Sequence, residues 1–126
     1  MKRMIPLLLS FLLLTGCGGN SADATYQQID QEAAKEMMDT QEVIILDVRE
    51  QDEYDSGHIP GAVLLPVGTI DEDTAAAVIP EKDSTVLVYC RSGNRSKTAS
   101  SALAELGYTN IYEFGGINTW PYDTEP

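Results

Sequence analysis

The residues best suited to chemistry lie in one segment, Cys90-Arg91-Ser92-Gly93-Asn94-Arg95-Ser96. Cys90 supplies a thiol, whose ionised form is a strong nucleophile. The segment joins an apolar run to a helical pattern, so its backbone N–H groups can converge on one point in front of a helix N-terminus. Such a nest binds anions and favours the thiolate, and Arg91 and Arg95 add positive charge. The segment therefore predicts a cysteine nucleophile in an anion-binding loop.

The rest of this segment, from Arg91 to Ser96, provides the candidate anion-binding residues Arg91, Ser92, Gly93, Asn94, Arg95 and Ser96. Gly93 permits a tight turn, and Asn94 tolerates a left-handed conformation. The alternative for Cys90 is a buried, inert thiol at the end of a core strand. The two arginines, the glycine and the start of a helix argue against that alternative.

The elements that must position this loop follow the alternation of an α/β domain. Strands are predicted at 26–29, 43–46, 62–65, 85–89 and 110–114. The three runs 43–46, 62–65 and 85–89 are nearly continuous in apolar residues, which is typical of strands buried on both faces. The loop with Cys90 follows the strand 85–89, and ligands bind beyond the carboxyl ends of such strands.

Helices are predicted between these strands. Asp30 can cap the first, 70–78 forms another that ends at Pro80, and one that starts near Arg95 is stopped by Gly107. Helices that connect parallel strands must cover both faces of the sheet. We therefore expect one open, mostly parallel five-stranded sheet with helices on both faces.

The composition excludes several function classes. The chain has 126 residues with 8 Lys and Arg against 20 Asp and Glu, a formal net charge of −12. A nucleic-acid partner is not expected, because polyanions bind through clustered cations. One His and two Cys are too few for a multi-His metal site or a disulfide framework.

The N-terminus has the pattern of a targeting segment. Lys2 and Arg3 precede an apolar run at 5–14, which is shorter than the roughly 20 residues that a membrane-spanning helix needs. The run ends in Leu14-Thr15-Gly16-Cys17, which resembles the lipobox of bacterial lipoproteins. That resemblance implies a signal peptide at 1–16, lipidation of Cys17, a flexible tether at 17–24 and a domain at 25–126. A soluble secreted protein is the alternative.

Lipidation would place the protein on a cell membrane with its domain outside the cytoplasm, facing the periplasm or the extracellular medium. Acyl chains would be the sole membrane contact, since each buried CH₂ contributes about 0.8 kcal/mol and the acidic domain is repelled by anionic headgroups.

Two further motifs accompany the cysteine loop. The first comprises Asp47-Val48-Arg49-Glu50, then Glu53-Tyr54 and Gly57-His58-Ile59-Pro60-Gly61-Ala62; the second is Gly115-Gly116-Ile117-Asn118-Thr119-Trp120. In this order and spacing, residues 25 to 122 resemble a single-domain rhodanese, a sulfurtransferase. The resemblance implies the rhodanese fold.

Four residues of the first motif are expected to support the site. Asp47, Arg49 and Glu53 can form a charge-assisted network that fixes the loop after the second strand. Histidine is a common general base in enzymes, so His58 could have that role. Its place in a turn, and the use that rhodaneses make of this motif, predict a structural role instead.

The resemblance implies a two-step sulfur transfer without cofactor or metal. The Cys90 thiolate takes a sulfane sulfur from a small anionic donor such as thiosulfate and holds it as a persulfide. A thiophilic acceptor, cyanide or a thiol, then removes it.

Two other functions remain open from the sequence. Phosphatases and arsenate reductases of the cell-cycle phosphatase type share the fold, but their loop is one residue longer than the six residues from Cys90 to Arg95. The other is a lipid-anchored, non-catalytic module that binds a partner or relays redox state through Cys90.

Overall fold

The computed structural model describes residues 25–126; the predicted signal peptide 1–16, Cys17 and the tether 17–24 lie outside the described residues. The elements in chain order are β1 Gln27–Gln28, α1 Gln31–Thr40, β2 Ile44–Asp47, α2 Gln51–Ser56, β3 Val63–Leu64, a 3₁₀ turn Val67–Thr69, α3 Glu72–Val78, β4 Val86–Cys90, α4 Asn94–Glu105, β5 Ile111–Gly116 and a 3₁₀ turn Ile117–Thr119. Within 25–126, none of the helices combines the length and the apolar character needed to span a bilayer.

The five strands form one sheet in the order β1-β5-β4-β2-β3, and every neighbouring pair is parallel. This confirms the predicted parallel α/β sheet. The order places β4 in the middle, between β5 and β2. The loop after Cys90 therefore leaves the sheet from its central strand, where neighbouring elements can surround it on both sides.

Helices cover both faces of the sheet, as predicted. On one face, Ala75 of α3 and Ala99 and Leu103 of α4 pack in a buried cluster with the strands. On the other face, Ala34 of α1 and Trp120 belong to a second buried cluster. Burial of both faces removes water from the central strands and supplies most of the driving force for folding.

Helix α2 was not predicted from the sequence. Its six residues include no buried side chain, so the apolar periodicity that marks a core-facing helix is missing. The helix is instead stabilised at its first turn, where Glu50 and Glu53 form a capping box. The backbone N–H of Glu50 donates to Glu53 Oε1 at 2.9 Å.

Two further expectations need correction. Strand β3 is not buried on both faces, because it lies at the edge of the sheet and Val63 is 38% exposed. Helix α3 begins at Glu72 rather than at 70, because the Asp71 side chain caps it by accepting the Thr74 N–H at 2.8 Å. The predicted cap at Asp30 is confirmed: its carboxylate accepts the Ala33 N–H at 2.7 Å.

Candidate active site

Cys90 is the last residue of the central strand β4, and its side chain is 1% exposed. The Gly93 N–H donates to Sγ at 3.0 Å, so the loop folds back over the sulfur. The Ser96 hydroxyl oxygen lies 3.5 Å from Sγ on the other side. The sulfur thus lies between the Gly93 N–H and the Ser96 hydroxyl oxygen, at the N-terminus of α4.

A left-handed residue allows the loop to turn this tightly. Gly93 has φ +102°, a conformation that L side chains rarely adopt. Asn94 does not take up the left-handed conformation that the sequence allowed, because it is already the first residue of α4. The turn at Gly93 therefore ends β4 and starts α4 within three residues, and it brings the helix N-terminus onto the sulfur.

The pKa of the Cys90 thiol is lowered by the loop. Burial raises this pKa, but hydrogen bonds from the Ser96 hydroxyl and from the N–H groups of Ser96, Gly93 and Ser92 outweigh it. The direction agrees with the sequence-based expectation. The backbone donors are those expected from the sequence, and the structure adds the Ser96 hydroxyl to them.

Arg95 is held by an ion pair with α2. Its two terminal nitrogens donate to the two carboxylate oxygens of Glu53 at 2.8 and 2.9 Å. This bidentate pair is the largest cause that lowers the Glu53 pKa, to about 2. The predicted network of Glu53 with Asp47 and Arg49 is therefore wrong in one respect, since Glu53 binds Arg95 instead.

Asp47 and Arg49 form their own buried pair at the end of β2. Arg49 Nη2 donates to Asp47 Oδ2 at 2.7 Å and to the carbonyl oxygen of Gly57 at 2.7 Å. The Tyr89 hydroxyl donates to the same Asp47 oxygen at 2.6 Å. The pair thus ties β2, β4 and the turn at Gly57 together.

His58 contacts α2 and the C-terminal segment. Its ring stacks on Tyr54 with the centroids 3.8 Å apart, and Nδ1 lies 3.0 Å from the Tyr54 carbonyl oxygen. Its Nε2 lies 3.6 Å from a carboxylate oxygen of Glu125. These contacts hold a turn and do not reach the sulfur.

Gly116 lets the backbone of β5 approach the active-site loop. A Cβ atom at this position would lie 2.0 Å from the Arg91 carbonyl oxygen. That oxygen accepts the Asn118 N–H at 3.1 Å. The side chain of Arg91 itself is exposed at the rim of the loop.

Comparison with known proteins identifies this architecture. Residues 30–121 match the family described as the rhodanese-like domain. The chain belongs to the rhodanese family. The thiosulfate sulfurtransferase PspE of Escherichia coli K12 is 40% identical over 72 residues, which cover 57% of this chain and 68% of that protein. The thiosulfate sulfurtransferase GlpE of Coxiella burnetii is 35% identical over 96 residues, 75% and 87% of the two chains.

Solved rhodanese structures share the fold. A rhodanese from E. coli with bound anions is 31% identical, with a TM-score of 0.62, over 67% of this chain and 98% of that one. A rhodanese-like domain from Anabaena is 28% identical, with a TM-score of 0.72, over 80% of each chain. Together with the named sulfurtransferases, these relatives make the chain a rhodanese-type sulfurtransferase with a sulfur donor and an acceptor as substrates.

One residue of this rhodanese site was not predicted from the sequence. Glu113 of β5 is 2% exposed, and its Oε2 accepts the Ser96 hydroxyl at 2.5 Å. The sequence does contain one signal for Glu113, which is an acidic residue inside a predicted core strand. A buried carboxylate requires hydrogen-bond partners, so such a residue indicates a polar site. The sequence does not name those partners, because Glu113 lies 17 residues from Ser96.

Proposed function

We propose that this rhodanese moves a sulfane sulfur from thiosulfate, or a similar small anionic donor, to a thiol or cyanide through a persulfide on Cys90. The observation that carries the proposal is the sulfur of Cys90 under the loop, with the Gly93 N–H 3.0 Å from Sγ. A thiolate held by N–H donors at the end of a central strand is a nucleophile whose charge the protein has already stabilised.

In the first half-reaction, the Cys90 thiolate attacks the outer sulfur of the donor. A new S–S bond forms at Sγ while the bond between the outer sulfur and the sulfonate group breaks. The bonding electron pair leaves with sulfite, and the negative charge of the enzyme passes from Sγ to the terminal persulfide sulfur. The N–H groups of Ser92, Gly93 and Ser96 favour the thiolate, and we assign to them the stabilisation of this second anion as well.

In the second half-reaction, an acceptor anion attacks the terminal sulfur. The Cys90 S–S bond breaks, its electron pair returns to Sγ, and the thiolate is regenerated. An acceptor thiol must lose its proton to solvent before or during this attack. The two half-reactions leave the enzyme unchanged and require neither a cofactor nor an external oxidant. Because the first product leaves before the acceptor reacts with the persulfide, we expect ping-pong kinetics.

The two arginines of the loop have different roles in this proposal. Arg95 is neutralised by Glu53, which leaves it to fix the position of the loop against α2. Arg91 is exposed and makes no ion pair within residues 25–126. We assign to Arg91 the attraction of the anionic end of the donor.

We also propose that lipid on Cys17 anchors this domain to a cell membrane, on the side away from the cytoplasm. The support is the sequence alone: the charged start, the apolar run at 5–14 and the Leu14-Thr15-Gly16-Cys17 pattern.

The proposed function is tested by a thiosulfate to cyanide sulfur-transfer assay on the full chain. Cys90→Ser is the matched control, because the hydroxyl keeps the shape of the side chain but is a far weaker nucleophile. We expect turnover in the wild type, none in Cys90→Ser, and no hydrolysis of an aryl phosphate by either protein. Equal turnover of the two proteins, or phosphatase activity without sulfur transfer, would refute the proposal.

A further inference from the structure

The side-chain amide of Gln31 lies against the pair of glycines at the end of β5. Gln31 is the first residue of α1 and is half-buried, and its Nε2 donates to the Gly116 carbonyl oxygen at 2.8 Å. Gly115 leaves the space for this amide, because a Cβ at that position would lie 3.6 Å from Gln31 Nε2. The sulfur-transfer steps above make no use of Gln31.

Gly116 in turn supports one peptide unit of the active-site loop. A Cβ atom on Gly116 would overlap the carbonyl group of Arg91 and would lie 2.6 Å from Ser92 Cα. The peptide unit between Arg91 and Ser92 therefore lies directly on the Gly116 backbone. The position of the Gly116 backbone sets the position of this peptide unit.

The turn after β5 also fixes the direction in which this peptide unit points. The Asn118 N–H donates to the Arg91 carbonyl oxygen at 3.1 Å. In a trans peptide the C=O and N–H groups point in opposite directions. The Ser92 N–H therefore points away from Asn118, and it is one of the backbone groups that hydrogen-bond to Cys90. The end of β5 and its turn thus direct an N–H donor to the sulfur.

We propose that Gln31 is a positioning residue for the Cys90 thiolate, because it fixes the Gly116 backbone that supports the Ser92 N–H donor. The Thr119 hydroxyl donates to the same Gly116 carbonyl oxygen at 3.2 Å, but it belongs to the turn itself. Gln31 ties that turn to α1. The inference rests on the proposed role of Cys90 as nucleophile, whose anionic forms this donor stabilises.

The charged groups that the structure places near Cys90 belong to α4, α2 and β5. Arg95 is close enough to Cys90 for their charges to interact, and its guanidinium is bound to Glu53. Glu113 is joined to Cys90 through one intervening serine hydroxyl. A neutral substitution of Gln31 alters none of these charges. A change of the thiol pKa in such a variant therefore reports the placement of the hydrogen-bond donors.

The test is the pH midpoint of Cys90 alkylation by iodoacetamide in the full chain, with Gln31→Met as the variant. Methionine is similar in length to glutamine and favours helices, but it donates no hydrogen bond. Digestion and mass spectrometry of the Cys90 peptide keep Cys17 out of the measurement. We expect the midpoint to rise by about half a unit to one unit, which lowers the alkylation rate below the midpoint about three- to tenfold.

Gln51→Met is the matched control. Gln51 is also the first residue of a helix, and its amide also donates one hydrogen bond, to Asp55 Oδ1 at 2.9 Å on the exposed side of α2. We expect the wild-type midpoint in Gln51→Met. A wild-type midpoint in folded Gln31→Met would overturn the inference. An equal rise in both variants would also overturn it, because loss of any such helix contact would then have the same effect.

Thr119 supplies the test if Gln31→Met does not fold, as judged by circular dichroism. Thr119→Val removes the second donor to the Gly116 carbonyl oxygen, and Thr119→Ser keeps it. We expect a higher midpoint in Thr119→Val and the wild-type midpoint in Thr119→Ser. Equal midpoints in these two variants would then overturn the inference, because fixing the Gly116 carbonyl group would have no effect on the thiolate.

Alkylation requires no sulfur donor, so this experiment can fail independently of the proposed function. A raised midpoint in Gln31→Met, in a protein that transfers no sulfur, would uphold the positioning role and refute the sulfurtransferase mechanism. An unchanged midpoint in a protein that does transfer sulfur would refute the positioning role alone.

Discussion

At the scale of single residues, the hydrogen-bond donors around Cys90 favour its thiolate. The thiol pKa of Cys90 is lowered against burial by the Ser96 hydroxyl and by backbone N–H groups. These donors are fixed by the turn at Gly93 and by the first turn of α4. In the mechanism that we propose, the same donors would stabilise the persulfide anion as well.

A prediction at this scale concerns Arg91, the exposed cation of the loop. Arg91→Ala should lower kcat/KM for thiosulfate about five- to tenfold, mainly through a higher KM, because a charge-assisted contact to the donor is lost. Arg91→Lys is the matched control and should recover most of the loss. Steady-state kinetics measure both variants. An unchanged kcat/KM in Arg91→Ala would remove Arg91 from donor binding.

At the scale of elements, the parts that the sequence predicts well are those with a local signal. The apolar run before Cys90 and the loop after it are adjacent in the chain, so both β4 and the anion-binding nest follow from one segment. Helix α2 has no apolar face, and the pairing of Arg95 with Glu53 joins residues 42 positions apart. Such a long-range polar pair depends on how the fold brings α2 beside the start of α4, which periodicity does not encode.

The approach of β5 to the loop gives an element-scale prediction. Gly116→Ala should destabilise the fold by about 2 kcal/mol or more and lower sulfur transfer, because its Cβ would lie 2.0 Å from the Arg91 carbonyl oxygen. Gly68→Ala is the control, since a Cβ there meets nothing within 4 Å, and it should stay within about 0.5 kcal/mol of the wild type. Urea unfolding measures both. If Gly116→Ala had the same free energy of unfolding as the wild type, the loop at Arg91 would have to shift to accommodate the extra methyl group.

The contact between α2 and α4 predicts a pH dependence of stability. The Glu53 pKa is lowered from its usual 4.5 to about 2, so the contribution of this carboxylate is complete above about 4.5 and is lost as the pH falls towards 2. Glu53→Gln lacks that contribution, but it keeps an acceptor for the Glu50 N–H. The stability difference between wild type and variant should therefore shrink as the pH falls from about 5 to about 3. Urea unfolding at each pH measures this difference, and a constant difference would contradict the account.

At the scale of the whole molecule, a small acidic domain carries one cationic rim at its catalytic loop. The formal net charge of the chain is −12, and two of the four arginines are bound to carboxylates within the domain. The net negative charge disfavours polyanionic partners, and Arg91 is the exposed cation to which we assign attraction of a small anionic donor.

The proposed anchor gives the prediction at this scale. In a bacterial host fed a labelled fatty acid, the wild type should take up label and fractionate with membranes, because acyl chains supply the anchor. Cys17→Ala should remain unlabelled, whereas Cys90→Ser should be labelled like the wild type. Label on Cys17→Ala would mean that another residue carries the lipid. Absence of label on the wild type would mean that the protein has no lipid anchor.

The central claim is that Cys90 carries the transferred sulfur, and intact-protein mass spectrometry tests it most directly. The full chain is incubated with thiosulfate in the absence of an acceptor, and its mass is measured before and after addition of cyanide. The account predicts a gain of about 32 Da, one sulfur atom, which maps to the Cys90 peptide, disappears with cyanide and is absent from Cys90→Ser. An unchanged mass, or the same gain in Cys90→Ser, would contradict it.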